Sequence, residues 1–186
     1  MKNEKLPSGV SLGRPGTHLI PPSPAIPIAS GAGRLPSLRM EAGIIRLFGK
    51  GDIASRGLVG GWAAPEEGHI WNDGLEAVQT IELAQQPAAA LTIVVEGVPY
   101  VYGNASRQDI TLFANGYRLG AWRFSERRLA TLTALVEPEH WFIRNGAASL
   151  RLTWHLPGSA RPSDIGDGPD GRIIGFAFRT ICLQEA

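Results

Sequence analysis

The feature that most restricts the fold of this chain is a two-residue alternation of apolar and polar side chains. It is clearest in residues 148–156, where the apolar positions are Ala148, Leu150, Leu152, Trp154 and Leu156. Residues 75–83 show the same period, with Leu75, Ala77, Ile81 and Leu83 on one face. Because successive side chains of a strand point to opposite faces, both segments are predicted to be strands with one face in a core.

The dipeptide Asn115-Gly116 marks a turn between two further strand-like segments, residues 109–114 and 117–124. Both residues tolerate positive φ, so the sequence predicts a type I′ hairpin. Other strands are predicted at residues 44–48, 91–96, 129–136 and 172–183, with a short helical turn at 138–141. No segment longer than about 10 residues has a helical period. The chain is therefore predicted to be all-β, a two-layer antiparallel β-sandwich of jelly-roll-like type.

The 186 residues, 44% of them hydrophobic, are enough for one domain with a core of its own. Residues 1–40 differ from the rest in their proline, glycine and serine content, which disfavours both helix and sheet pairing. We predict an extended Pro-rich N-terminal arm over residues 1–40 and the sandwich over residues 41–186. A flexible spacer gains nothing from apolar side chains, so we expect the arm to bind a protein partner or a second copy of the chain through Leu19, Ile20, Pro22, Ile26 and Ile28. The alternative is a disordered leader that binds nothing.

Charge, hydropathy and cysteine content limit the possible binding partners and the cellular compartment of the protein. The formal net charge is +1 and the basic residues form no run, so no nucleic-acid partner is expected. No apolar window approaches the roughly 18 residues of a spanning helix, and we expect no membrane insertion and a cytoplasmic location. Cys182 is the single cysteine, which excludes an intrachain disulfide and predicts a buried structural thiol.

The usual sequence signatures of catalysis are missing. The four histidines are His18, His69, His140 and His155, and none has a neighbour at the spacing of a zinc site, so no metal is expected. There is no nucleophile elbow, P-loop or dinucleotide fingerprint. The adjacent Glu66 and Glu67 would point in opposite directions in a strand, which does not suit a glycosidase. We therefore expect neither an enzyme nor a cofactor.

Two motif-bearing segments near the ends of the predicted sandwich indicate a family. The first is Gly-Trp-x-x-Pro-Glu-x-x-x-x-Trp at residues 61–71, and the second combines Arg-Pro-Ser-Asp-Ile-Gly at 161–166 with Asp-Gly-Arg-Ile-Ile-Gly-Phe at 170–176. As a set they resemble a β-sandwich module of bacterial surface-polysaccharide synthesis, which accompanies glycosyltransferases and has a jelly-roll or galactose-binding-like fold. The resemblance covers about residues 43–183 and implies a non-catalytic accessory or carbohydrate-binding role. Asn72 departs from it, because the family often has a small hydroxyl residue there.

The same two segments supply a candidate ligand site. Glu66 and Arg172 are predicted to form an ion pair that joins the two ends of the sandwich, with Asp170 as a competing partner for the guanidinium. These groups could clamp the loops without touching a ligand. Beside an aromatic platform, they could instead form hydrogen bonds with sugar hydroxyls.

The tryptophans are the candidate platform. Trp62 and Trp71 are expected to pack across the mouth of the sandwich, and Trp154 is expected to be interior. Trp122 is predicted to be the exposed one, because its strand places it opposite the face of Leu119 and Ala121.

Two functional hypotheses follow from the sequence. The first is a carbohydrate-binding or accessory module in bacterial polysaccharide biosynthesis, with a glycan as its partner. The second is a structural subunit of a homo- or hetero-oligomeric assembly that is held together by the N-terminal arm.

Overall fold

The structure is a computed structural model that describes residues 36–103 and 107–186, and about half of these residues lie in β-strands. In the first half these are β1 (Leu38–Arg39), β2 (Arg46–Leu47), β3 (Leu58–Gly60), β4 (Ile70–Trp71), β5 (Glu76–Leu83) and β6 (Leu91–Pro99). In the second half they are β7 (Gln108–Ala114), β8 (Tyr117–Phe124), β9 (Ala130–Val136), β10 (Phe142–Arg144), β11 (Ala147–His155) and β12 (Phe176–Glu185). Among the described residues, helical structure is limited to 3₁₀ turns at Ile53–Gly57 and Pro138–His140 and to one α-helical turn, α1 (Pro162–Ile165). The predicted all-β fold is confirmed.

The strands form two sheets that pack face to face. The first sheet has the order β1-β5-β11-β7-β8, with β3 also paired to β5 and β10 to β11. The second has the order β2-β12-β6-β9, with β4 also paired to β12. All pairs are antiparallel except β1 with β5, where Leu38 and Arg39 lie beside Ile81 and Glu82 in parallel register. The architecture is a two-layer β-sandwich.

The inward faces of both sheets meet in one core. Strand β11 shows the predicted alternation, with Ala148, Leu150, Leu152 and Trp154 all buried. The last strand contributes Phe176 and Phe178, whose ring centroids lie 4.8 Å apart, and Trp154 approaches Phe178 from the other sheet at 5.1 Å. Aromatic edge-to-face contacts of this kind add to the hydrophobic stabilisation of a core.

The Asn115-Gly116 hairpin is confirmed by its backbone. Asn115 and Gly116 have φ of 48° and 90°, as a type I′ turn requires. The Asn115 side chain donates to the carbonyl oxygens of His140 and Ser149 and accepts from the Arg151 amide, so it also ties this turn to β11. The helical turn predicted at 138–141 is present as the 3₁₀ turn Pro138–His140.

The prediction that Trp122 is exposed is wrong. The β7–β8 pairing shifts from Leu112 opposite Gly120 to Phe113 opposite Arg118, which leaves Leu119 as an extra residue in β8. Trp122 then lies opposite the fully buried Ile110 and packs, half-buried, against the core. The bulge at Leu119 is the physical reason, because it changes which side chains of β8 face inward.

The beginning of the sandwich also differs from the prediction. Of the strand expected at 44–48, only Arg46 and Leu47 pair with another strand, and Leu47 is exposed. Leu38 and Met40 are buried in the core, so sandwich structure begins before residue 41. The predicted partner-binding residues of the arm, Leu19, Ile20, Pro22, Ile26 and Ile28, lie outside the described residues.

Two further expectations concern single features. Cys182 is buried in β12, as predicted. Leu75, which was expected on the inward face, is 51% exposed because β5 begins only at Glu76. Within residues 36–103 and 107–186, no helix has the length and apolar character needed to cross a membrane.

Candidate functional site

The tryptophan segment at residues 61–73 folds back on itself as an irregular hairpin. Trp62 pairs with Asn72, and the Ala63 amide donates to the carbonyl of Trp71 at 3.0 Å. Glu66 pairs with His69 at the tip, where Gly68 takes a φ of 74°. The tight turn places the side chains of Glu66 and His69 on the same rim, with Glu66 Oε2 3.2 Å from His69 Nε2. We call this segment the opening hairpin.

Asn72 joins the opening hairpin to the segment that leads into β12. Its side chain is fully buried, and its Oδ1 accepts from the amides of Gly175 and Phe176 at 2.9 and 2.8 Å. Its Nδ2 donates to the Gly74 carbonyl at 2.7 Å and to Ser159 Oγ at 3.0 Å. A buried amide that uses both its donor and its acceptor atoms fixes local geometry, since each bond lost would leave a polar group without a partner. The two motif-bearing segments of the sequence therefore meet in space.

Arg172 lies between two carboxylates at this junction. Its Nη1 is 2.7 Å from Glu66 Oε1, and its Nη2 is 2.6 Å from Asp170 Oδ2. Asp170 Oδ1 also accepts from Arg172 Nε at 3.0 Å and from the Arg172 amide at 2.9 Å. The predicted ion pair with Glu66 is present, and the competing partner Asp170 binds the same guanidinium at the same time. We call these three residues the Arg172 clamp.

Hydrogen bonding within the clamp shifts the pKa values of Asp170 and Arg172. Hydrogen bonding from Arg172 holds the pKa of Asp170 below its usual range. Hydrogen bonding to Asp170, with a smaller contribution from Glu66, raises the pKa of Arg172. Both shifts favour the charged forms, so Asp170 and Arg172 form an ion pair at neutral pH.

An aromatic chain continues from the clamp along the end of the sandwich. The rings of His69 and Trp71 are edge-to-face at 5.8 Å, and Trp71 meets Tyr100 in the same way at 6.2 Å. Tyr100 in turn lies 5.4 Å from Tyr102. Trp71 and Tyr100 are buried, whereas His69 and Tyr102 are partly open to solvent. The buried rings support the two that reach the surface.

Two loops close the cluster on the side of Tyr100. Its hydroxyl donates to Asp167 Oδ2 at 2.7 Å, and the Arg127 guanidinium lies 5.5 Å from its ring centroid. Burial, followed by the bond to Asp167, raises the pKa of the Tyr100 hydroxyl. The phenol therefore remains a neutral donor at all physiological pH values. Sequence reasoning missed both Tyr100 and Tyr102, although the Tyr-x-Tyr spacing directly after a strand is a visible signal.

We define the loop-end cluster as the residues that meet at this end of the sandwich: Glu66, His69, Trp71, Tyr100, Tyr102, Asp170 and Arg172. Four of the six predicted ligand-binding residues belong to it. The other two do not: Trp122 packs against the core from β8, and Trp62 donates from Nε1 to the Val78 carbonyl at 2.7 Å and lies 4.9 Å from Phe178. Trp62 thus fastens the opening hairpin to the core.

The loop-end cluster offers planar hydrogen-bonding groups beside aromatic rings. The side chains of Glu66, Arg172 and Asp170 are 39%, 32% and 30% exposed, so each pairs internally and still reaches solvent. Within the described residues, no group of three or more His, Cys, Asp or Glu side chains could hold a metal ion. Fold and cluster together define a β-sandwich module with a polar and aromatic loop end.

Comparison with known proteins adds structural neighbours only. No protein-family model and no curated protein matches the chain. A family GH115 4-O-methyl-α-glucuronidase with specificity for decorated arabinogalactans is 9% identical with a TM-score of 0.46, over 78% of this chain and 18% of that one. A family 35 carbohydrate-binding module from an environmental isolate is 14% identical with a TM-score of 0.35, over 69% of this chain and 76% of that one.

A third similar structure is that of dimeric latent PorU from Porphyromonas gingivalis. It is 11% identical with a TM-score of 0.34, over 58% of this chain and 10% of that chain. The chain therefore spans less than a fifth of the length of two of these three neighbours.

Proposed function

We propose that this protein is a non-catalytic carbohydrate-binding module and that its glycan site is the loop-end cluster. The observation that carries the proposal is the continuous contact from the Arg172 clamp through His69 to the partly exposed Tyr102. Sugars present hydroxyl groups at their edges and C–H groups on their faces. A guanidinium and carboxylates beside an aromatic ring match both surfaces.

The arrangement of the carboxylates supports a binding rather than a hydrolytic role. A glycosidase uses two carboxyl groups, one of them protonated, on either side of the scissile bond. Here Glu66 and Asp170 are both held by Arg172, and the lowered pKa of Asp170 makes it a poor proton donor. We propose that these groups accept hydrogen bonds from sugar hydroxyls. On the resemblance of residues 43–183 we further propose that the module serves bacterial polysaccharide biosynthesis.

The test is a titration of the protein with a panel of neutral oligosaccharides, followed by two-dimensional amide NMR. We expect at least one glycan to shift the amides of the opening hairpin and of residues 170–175. Tyr102→Ala should weaken binding of this glycan by up to about tenfold, since an aromatic contact contributes about 0.5–1.5 kcal/mol. The matched control is Phe142→Ala, because Phe142 is exposed on β10 and outside the loop-end cluster.

Two results would contradict the glycan site. One is the absence of any shift at the highest glycan concentration. The other is a loss of binding with Phe142→Ala while Tyr102→Ala binds normally. Circular dichroism of each variant separates loss of binding from loss of fold.

A second candidate function is a structural subunit of a larger assembly. The observation that favours it is a group of exposed apolar side chains at the start of the sandwich, namely Ile44, Ile45, Leu47 and Ile53. Groups of exposed apolar residues often mark surfaces where proteins associate. Removal of residues 1–35 and measurement of mass by light scattering tests this role: a subunit held by the arm loses mass beyond that of the deleted residues, and a monomeric module does not.

A further inference from the structure

Three arginines line one depression near the start of the sandwich. Arg39 lies on β1, Arg46 on β2 and Arg56 on the 3₁₀ turn Ile53–Gly57, and all three border a depression of ≈ 480 Å³. Glu82 is the only carboxylate among its described lining residues. No ion pair within the described parts of the chain involves any of the three arginines. Three guanidinium groups around one depression create a local excess of positive charge.

One of these arginines has an unfulfilled donor. The Nε of Arg46 is buried, and it has no hydrogen-bond partner among the described residues. A buried donor on a charged group is costly when it has no acceptor.

The backbone positions of the arginines are fixed by packing. The 3₁₀ turn lies against β1 so closely that a Cβ on Gly57 would be 2.8 Å from Leu38 Cβ and 2.6 Å from the Thr80 carbonyl oxygen. The buried Gln79 donates to the Ala54 carbonyl at 3.2 Å and holds the same turn from β5. Arg46 is held by the pairing of β2 with β12, opposite Ile181. The elements are therefore preorganised, which lowers the entropic cost of binding.

The depression is separate from the loop-end cluster. Strand β5 begins at Glu76, beside Gly61 of the opening hairpin, and reaches the depression at Glu82. Six residues of strand span about 20 Å. No residue of the loop-end cluster is among the described residues that line the depression, so the two proposed sites use different side chains.

We propose that this depression is a binding site for an oxyanion group of a small ligand, either a carboxylate or a phosphate. Guanidinium groups bind both through paired N–H donors, and three of them from three elements can surround one anion. The exposed apolar side chain of Ile53 also lines the depression and would contact the carbon skeleton that carries the anion.

The experiment titrates the full chain at low ionic strength with sodium glucuronate, inorganic phosphate and glucose, with NMR detection of the arginine Nε–H signals. We expect saturable shifts of the Arg46 signal with at least one anion and none with glucose. The anion that binds with the lower Kd shows whether the site prefers a carboxylate or a phosphate. Binding should weaken as sodium chloride is added, because salt screens exposed charges.

Substitutions then assign the site. Arg46→Gln and Arg56→Gln should each weaken the bound anion at least about tenfold, as expected for loss of a charged hydrogen bond. Arg144→Gln is the matched control, because Arg144 is exposed on β10 and does not line the depression. Tyr102→Ala should leave anion affinity unchanged, which separates this site from the proposed glycan site.

The proposal is overturned if neither anion shifts the Arg46 Nε–H signal. It is also overturned if the Arg46→Gln and Arg56→Gln variants both bind the anion with wild-type affinity. Arg56 is exposed, so Arg56→Gln keeps the test decisive even if Arg46→Gln fails to fold.

Discussion

At the scale of single residues, Asn72 determines whether the two ends of the sandwich stay together. We expect Asn72→Ala to lower the free energy of unfolding by about 3 kcal/mol, because the buried amides of Gly175 and Phe176 lose their acceptor. Urea denaturation followed by tryptophan fluorescence measures the change. Gln85→Ala removes an exposed amide and should change stability by less than about 0.5 kcal/mol. Equal stabilities of the two variants would contradict the role given to Asn72.

Asp170 should give the protein part of its sensitivity to acid. Because its pKa is lowered in the folded state, its contribution to stability is complete above the pKa of an unfolded aspartate, about 3.9, and is lost as pH falls through the folded value. We therefore expect Asp170→Asn to be less stable than wild type at pH 7, with the difference shrinking below about pH 4. Urea midpoints at several pH values test this. The exposed Glu185→Gln should show no such convergence, and a constant difference for Asp170→Asn would refute the assignment.

Some residues of the candidate site could be predicted from the sequence, and others could not. Glu66, Asp170 and Arg172 were predictable because charged residues in two paired motifs have few other partners at the ends of a sandwich. Asp167 and Tyr100 were not, because their hydrogen bond depends on how the loop after β11 folds back on the end of β6. Sequence spacing does not encode a contact of that kind.

At the scale of elements, the opening hairpin depends on Gly61. Gly61 and Gly68 have nearly equal φ, 76° and 74°, but a Cβ on Gly61 would collide with the Glu76 carbonyl, whereas a Cβ on Gly68 meets open space. Gly68→Ala should cost about 1 kcal/mol from backbone strain alone. Gly61→Ala should cost at least about 2 kcal/mol more, because the hairpin must move away from β5. Both variants carry the same backbone strain, so the difference between their urea unfolding midpoints measures the collision of the new Cβ at residue 61 with the Glu76 carbonyl.

Long strands were predictable and very short ones were not. β8 and β11 have enough residues for their alternation or turn chemistry to appear in the sequence. β1, β2 and β4 have two residues each and form because neighbouring strands offer free edges. The prediction that Trp122 is exposed was wrong for a related reason. The bulge at Leu119 is set by the pairing of β8 with β7 and not by the residues of β8 alone.

At the scale of the whole molecule, the two sheets are joined by one aromatic centre. Phe178 is fully buried and lies within 5.1 Å of the rings of Trp62, Trp154 and Phe176. We expect Phe178→Ala to reduce the free energy of unfolding by about 3–5 kcal/mol, as for other large-to-small core changes. Phe142→Ala removes the same ring from the surface and should have little effect. A small change for both variants would mean that the sheets do not depend on this centre.

The single thiol reports on the outer face of the second sheet. Cys182 is 4% exposed and lies between Ile181 and Leu183, which both point into the core between the sheets. Because successive side chains of a strand point to opposite faces, the thiol lies on the other face of β12. Modification by an aromatic disulfide should be slow in buffer and should accelerate in proportion to the population of molecules in which this face has opened. With no second cysteine to complicate the signal, the chain carries its own chemical clock for the moments when that face is uncovered.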